Sequence, residues 1–355
     1  MKRYIEIINN ALEGEVILPH FDGTFSELKL NPSGFLHTTS DREFVNKFLK
    51  IRFLNRVFQT IKETGLYSKS GFIYIQSLNG CVVIDFNNKK VYKILNQTFE
   101  PDFINNELNA SSILSNVAPK IFESFIIGNF AVVVQELIYK KTLLSWTNWC
   151  EHLMAIFPLI ISNSNNIERV EVNVYLEYLY LKLSLIEKKD EYFKSYSDSI
   201  NRSLRVLLTH YSKDIEYQYR LFSHGDLTPN NVYITDDGYR IIDFANGGNL
   251  SYSYDLMLQN FYFVKKDTWR LFDKISFKEN ENTGVFFGMS NYYFSLLEEI
   301  YGISLSEKNI KLSLIISLAE IYIKNNQRYQ SDEEHKDGFE IMKNIDFICH
   351  SIRNS

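Results

Sequence analysis

Cysteine is scarce in this chain: Cys81, Cys150 and Cys349 are the only three in 355 residues. No two of them form a CxxC pair, so neither a zinc site nor a disulfide framework is indicated, and a reducing compartment fits best. Glycine (15) and proline (6) are also sparse, which excludes a collagen-like or low-complexity chain. The longest apolar stretch, Leu153 to Ile161, is far short of the roughly 20 residues a bilayer requires. The opening residues lack the apolar core of a signal peptide. The expectation is therefore a cytoplasmic protein with no integral membrane segment. A basic excess is missing too: 38 Lys and Arg face 43 Asp and Glu, for a net charge of −5. Phosphate neutralisation supplies most of a nucleic-acid binder's affinity, so no nucleic-acid partner is expected.

What is present is ordinary for a folded protein: 45% hydrophobic and 23% charged residues. A chain of this length makes one large domain or two modest ones. Phe (27) and Tyr (23) are abundant, which weakens any argument from aromatic clusters alone. No repeat of 20–50 residues is visible.

Three segments follow from local patterning. Residues 1–68 form an N-terminal extension, partly helical. Within it, residues 41–64 carry apolar positions near helical spacing, with Asp41 as N-cap and Gly65 as stop. This extension is available to cap the sheet, to make a homodimer contact or to bind a partner. Residues 69–137 read as a small lobe: strands at Phe72–Ile75, Cys81–Phe86 and Val91–Leu95 joined by turns, a helix over 101–115 with Pro101 in its first turn, then strands at Ala118–Phe122 and Phe130–Val134. Residues 138–355 are mostly helical. Leu176, Leu179, Tyr180, Leu183 and Leu185 are read there as a buried stripe. Short strands and turns return at 221–245.

That last stretch carries the chemistry. It reads Leu221-Phe-Ser-His224-Gly-Asp226-Leu-Thr228-Pro-Asn-Asn231, then Ile241-Ile-Asp243-Phe. Between the two halves, Thr235-Asp-Asp-Gly238 is a hairpin turn. Pairing the flanking strands puts Asn231 and Asp243 side by side, and two hard oxygen donors suit Mg²⁺. Asp226 lies close in the chain, as a group able to accept a proton from an attacking hydroxyl.

These residues resemble the catalytic and metal-binding loops of the aminoglycoside phosphotransferase and choline kinase families, whose pattern is H-G-D-x-x-x-x-N followed by I-D-[FW]. The resemblance implies the protein-kinase-like fold, α+β in class, with a small antiparallel-sheet lobe and a larger, mainly helical one. It implies Asp226 as catalytic base, Asn231 and Asp243 as Mg²⁺ ligands, and His224 as the residue that orients the loop. Asp255, in Tyr-Asp-Leu, would be structural, holding that loop or capping a helix. Lys93, in the third strand, would bind the phosphates of ATP or GTP and pair with Glu107 on the following helix. A Lys among apolar neighbours is costly to bury unless paired. The phosphate-covering loop would span Gln76 to Cys81, with Ser77, Asn79 and Gly80 facing the nucleotide. Backbone groups around Glu136 and Leu137 would meet the purine, with the Glu136 side chain solvated.

Three departures turn the resemblance away from protein kinases. The covering loop has one glycine and no GxGxxG. Phe-Ala-Asn-Gly rather than Phe-Gly follows Asp243, with no Ala-Pro-Glu segment after it. Thr228 stands where serine/threonine protein kinases usually hold Lys. The implied function is Mg-ATP-dependent transfer to a small-molecule hydroxyl: a sugar or glycan precursor, an amino alcohol or an aminoglycoside. A protein kinase and a nucleotide-binding scaffold without turnover are the alternatives. Tyr252, Tyr254, Phe261, Tyr262 and Trp269 are aromatic candidates for the acceptor site, though such residues are more often core.

Overall fold

In the computed structural model the described residues are 72–352, apart from 78–79, 86–87, 97–101, 128–129, 140–143, 145–147, 165–166, 188–193, 264–283, 329–344 and 351. The helix expected at 41–64, with the rest of the extension, lies outside them, as do Asn79, Pro101 and Trp269. The described chain forms two compact units. One takes the residues up to Leu144 together with Asn230–Ala245; the other takes Ser145–Pro229 and the residues from Asn246 on.

Among the described residues the first unit has a five-stranded antiparallel sheet, one helix and an added hairpin. Its strands are β1 (Phe72–Ser77), β2 (Gly80–Asp85), β3 (Lys90–Asn96), β4 (Ile121–Ile127) and β5 (Phe130–Glu136). Their order is β1-β2-β3-β5-β4. Strand β3 is therefore central, and Val91, Tyr92, Lys93 and Ile94 are buried in succession, as expected of a strand covered on both faces. Helix α1 (Phe103–Ile113) packs on β4 and β5. Phe103 closes a cluster with Ala131 and Val133, against which Leu95, Ile104, Ile121 and Ala245 pack.

The sequence reading starts β4 at Ala118, three residues early. In the structure the N–H groups of Val117 and Ala118 bond back to the carbonyl of Leu114, at 2.8 and 2.7 Å. The helix end therefore claims these residues before the strand can. The hairpin of β8 (Val232–Thr235) and β9 (Gly238–Ile241) pairs Thr235 with Gly238, as the turn residues predict.

The second unit is mainly helical. In chain order it contains α2 (Trp149–Asn163), β6 (Glu168–Glu171), α3 (Val172–Glu187), α4 (Lys194–Tyr211), β7 (Tyr217–Ser223), β10 (Gly248–Ser251), α5 (Tyr254–Phe263), α6 (Gly284–Tyr301) and α7 (Glu307–Arg328). Helix α7 is buried almost all round from Leu312 to Ile323 and packs against α3, α4 and α5, the expected place for a helix apolar on every face. Three strands in the order β10-β7-β6 make a small sheet. On α3, Leu176, Leu179 and Leu183 are buried as expected, but Leu185 is exposed and Ile186 takes its place. The true stripe is Val172, Tyr175, Leu176, Leu179, Leu183, Ile186, which follows the helical period closely. Among the described residues no helix is long and apolar enough to cross a membrane.

Candidate active site

Lys93 is the focus of the first unit. Its ammonium lies 2.6 Å from Glu107 Oε1 and 3.2 Å from Asp243 Oδ1. Glu107 comes from α1 and is 2% exposed; the Asp243 side chain is 48% exposed. Burial pushes the ammonium toward neutrality, but the charges of Glu107 and then Asp243 more than reverse this and hold its pKa well above the ordinary value. The pair sits in the central strand, where an unpaired ammonium would be expensive.

Asp243 is delivered by the β8–β9 hairpin. The Ile242 N–H donates to the Asn231 carbonyl at 2.8 Å, which continues the pairing of Val232 with Ile241 and sets residues 231 and 243 beside each other along the chain. Asp243 has φ 70°, a left-handed conformation that side chains other than glycine enter at a cost and that clusters at functional sites. The hairpin is fixed to the sheet by Arg240. Its guanidinium donates to the carbonyls of Val117 (3.3 Å) and Ala118 (3.0 Å) and to the Glu136 carboxylate. The Ile241 N–H adds a bond to Val117 O at 2.8 Å. Tyr233, on β8, lies within electrostatic reach of both Lys93 and Asp243. Burial raises its hydroxyl pKa, Lys93 pulls it down and Asp243 adds to the rise.

Glu136 departs from the solvated residue read from sequence. Besides Arg240, its carboxylate accepts the Lys120 N–H at 3.0 Å. Its own N–H donates to Lys120 O and that of Leu137 to Lys89 O, at 2.9 and 2.8 Å. Both N–H groups are thus committed within the first unit. Ser77 and Gly80 form the last register pair of β1 and β2. Only Leu78 and Asn79 separate them, so the stretch between the strands is shorter than the six residues read from sequence.

In the second unit the His-Gly-Asp segment is held from α5. Asp255 is buried and accepts the N–H groups of His224 (2.7 Å) and Gly225 (2.9 Å). Burial raises its pKa, against the lowering by His224 and the two N–H groups. One turn on, the fully buried Gln259 donates to the Leu227 carbonyl at 2.5 Å and accepts from Trp149 Nε1 at 2.8 Å. The two side chains, four residues apart, share a helix face and grip both ends of residues 224–227. His224 Nδ1 accepts the Asp226 N–H at 3.1 Å, which fixes the tautomer with the proton on Nε2 when the ring is neutral. Asp226 itself is half-buried. Gly225 has φ 82°, and a Cβ there would meet the Asn246 carbonyl oxygen at 1.9 Å, so only glycine fits. Lys324 reaches the same carbonyl from α7.

Sequence reasoning missed Arg240, Tyr233, Gln259 and Lys324. Of these only Gln259 left a signal, its i+4 spacing from Asp255. Tyr252 and Tyr254, offered for the acceptor site, are core residues.

No protein-family model matches the chain, and no curated protein matches it. Solved structures do. A thermostable mutant of an aminoglycoside phosphotransferase, in ternary complex with AMP-PNP and hygromycin B, aligns over 83% of this chain and 100% of its own, with TM-score 0.51 and 13% identity. An amicoumacin kinase in complex with AMP-PNP, Ca²⁺ and Ami aligns over 84% of this chain and 95% of its own, with TM-score 0.50 and 15% identity. An ethanolamine kinase of Plasmodium vivax aligns over 88% and 95%, with TM-score 0.47 and 15% identity. At such identities the likeness carries the fold: the α+β, protein-kinase-like fold expected from the motif.

Proposed function

We propose that this chain, built on the fold of those phosphotransferases, is a Mg-ATP-dependent kinase for a small-molecule hydroxyl. The acceptor class is a sugar or glycan precursor, an amino alcohol or an aminoglycoside. The observation that supports this most is the placement of Lys93 between Glu107 and Asp243, one carboxylate buried and the other half-exposed. A buried carboxylate is enough to hold a lysine. The second, in a left-handed conformation, is what a phosphate-and-metal site needs. Neighbours of the same fold were captured with AMP-PNP and, respectively, hygromycin B or Ca²⁺ and Ami, which fits a nucleotide together with a small acceptor.

The donor chemistry suits Mg²⁺. Asp243 offers a carboxylate and Asn231 an amide, both hard oxygens, and Mg²⁺ completes such a partial set with phosphates and waters. Among the described residues there is no cluster of three or more His, Cys, Asp or Glu side chains that could hold a metal ion. When bound, the ion would neutralise charge on the phosphate oxygens.

In this reading Lys93 holds the phosphates, and Glu107 keeps it extended and charged. Asp226 aligns the acceptor hydroxyl and takes its proton. The bond from the γ-phosphorus to the bridging oxygen breaks as the bond to the acceptor oxygen forms, leaving ADP and a phosphomonoester. Asp255, Gln259 and His224 hold the Asp226 loop. The purine edge would be read past Leu137, since the N–H groups of Glu136 and Leu137 are already engaged.

The test is nucleotide consumption with ATP or GTP and Mg²⁺, against panels of sugars, amino alcohols, aminoglycosides and proteins. Asp226→Asn should lower turnover by about 10²–10⁴-fold while nucleotide binding changes little. Transfer to protein alone would replace this reading with a protein kinase. Nucleotide binding without transfer to any acceptor would leave a scaffold.

A further inference from the structure

Gly225 is held on two sides within the second unit. On one side the Asp255 carboxylate accepts its N–H and that of His224. On the other stands the backbone of Asn246 and Gly247. A Cβ on Gly225 would lie 1.9 Å from the Asn246 carbonyl oxygen and 3.0 Å from the Gly247 nitrogen. The first wall is a side chain rooted in helix α5. The second is a connecting segment with Asn246 in a turn. Such segments are more mobile than the elements they join, so whatever fixes this one sets the wall behind Gly225.

Lys324 is placed to do so. It follows directly on the buried run of α7 and is itself half-buried. Its ammonium donates to the Asn246 carbonyl and, at 3.4 Å, to that of Gly247. It also lies 5.4 Å from the centroid of the buried Tyr254 ring, a cation–π distance. Hydrogen bonds from a charged donor are the stronger kind. The same charge acts on the opposite wall. Burial raises the Asp255 pKa, and His224, the two N–H groups and Lys324 oppose that rise. Lys324 thus favours the ionised carboxylate, which accepts at both oxygens. We infer that Lys324 is a positioning residue for the His224–Asp226 segment: by binding the Asn246 and Gly247 carbonyls it sets the backbone against which Gly225 turns, and so where the Asp226 carboxylate stands. The consequence for catalysis rests on the reading of Asp226 as the base; the consequence for the geometry of the segment does not.

The experiment takes the full chain with Lys324→Met, which keeps the length of the side chain and removes its charge. Amide hydrogen exchange at His224, Gly225 and Asp226 should speed up by at least about tenfold, the worth of a charge-assisted bond, relative to Leu204 and Leu208 on α4. Lys324→Arg, which keeps charge and donors, should recover most of the protection. Freed from Lys324, the Asn246 carbonyl can yield to a Cβ. The drop in melting temperature caused by Gly225→Ala should therefore be less than about half as large in the Lys324→Met background as in wild type, a coupling that independent sites do not show. With ATP and Mg²⁺, and water as acceptor where no other is found, Lys324→Met should lower kcat by at least about tenfold and leave the KM for ATP within about twofold, since Lys324 is assigned no contact with the nucleotide. A wild type without turnover would remove the kinase reading, and exchange and the melting cycle would still decide the inference. Exchange that is unchanged or uniformly faster, additive melting losses, or a wild-type kcat in Lys324→Met would each overturn it.

Discussion

Lys93 and Asp243 stand 150 residues apart in the sequence and 3.2 Å apart in the first unit. The contact depends on two independent pieces of local structure: a central strand that buries the lysine stem, and a hairpin docked on the same sheet that presents the aspartate. Glu107 completes the group from α1. The ammonium is thus the meeting point of strand, helix and hairpin, and changes at any of the three should register there.

Removing the cation tests this first. Lys93→Met leaves Glu107 charged and buried, a situation that typically costs about 3–5 kcal/mol when a buried pair is broken. Thermal unfolding should show a large loss for Lys93→Met and a smaller one for Lys93→Met combined with Glu107→Gln, because the second change removes the stranded charge. Additive losses would mean that the two groups do not act as a pair.

Gly225 supplies a second test, in the second unit. Alanine there must enter the left-handed region, at about 1–2 kcal/mol. It must also push the Asn246 backbone aside, since its Cβ would stand 1.9 Å from that carbonyl oxygen. Gly225→Ala should therefore lower stability by more than about 2 kcal/mol in denaturant titration. A near-neutral substitution would show that the segment has room to move.

Arg240 and Glu136 anchor the hairpin that carries Asn231 and Asp243. Arg240→Ala removes contacts to two carbonyls and a carboxylate, and the pair is 20% and 29% exposed. A loss of about 1–2 kcal/mol is expected for partly solvated bonds of this kind. Glu136→Gln, which keeps an acceptor, should cost less. If the hairpin needs this anchor, amide hydrogen exchange at Ile241 and Ile242 should speed up in Arg240→Ala and stay near wild type in Glu136→Gln. Unchanged exchange in both would assign the anchoring to the Ile241–Val117 bond alone.

These contacts mark what was legible in the sequence. The sheet was readable because short β-rich runs alternate with turn residues, and because Thr235-Asp-Asp-Gly238 can hardly be anything but a hairpin. The residues His224, Asp226, Asn231 and Asp243 carry the family resemblance that implies the fold. What failed had local causes. Val117 and Ala118 look like strand residues, yet the end of α1 captures their N–H groups, so β4 starts later than its sequence suggests. Leu185 reads as a core residue as readily as Ile186, because both are aliphatic and only helical phase separates them. Strand β6 was missed because Glu-Arg-Val-Glu carries no apolar alternation; its pairing with β7 is set by the partner. Arg240 could not be paired with Glu136 at all, since their meeting depends on where a hairpin docks 104 residues away.

The core of the second unit carries a titration of its own. Glu320, on α7, is buried and accepts from the Tyr175 hydroxyl and from the Ser251 N–H, the latter at 3.0 Å. Burial raises its pKa above the ordinary carboxylate value in spite of these donors. In the window between its unfolded value near 4.5 and the raised folded value, the folded state binds more protons than the unfolded one. Stability contributed by this group therefore grows as pH falls through that window and stays level below it. Asp255 adds in the same direction. Glu320→Gln removes one of these titrations. As pH falls through that window, wild type should gain melting temperature relative to the variant, with the two profiles running parallel above it. Superimposable profiles over the whole range would mean that Glu320 ionises in the folded protein as easily as it does in water.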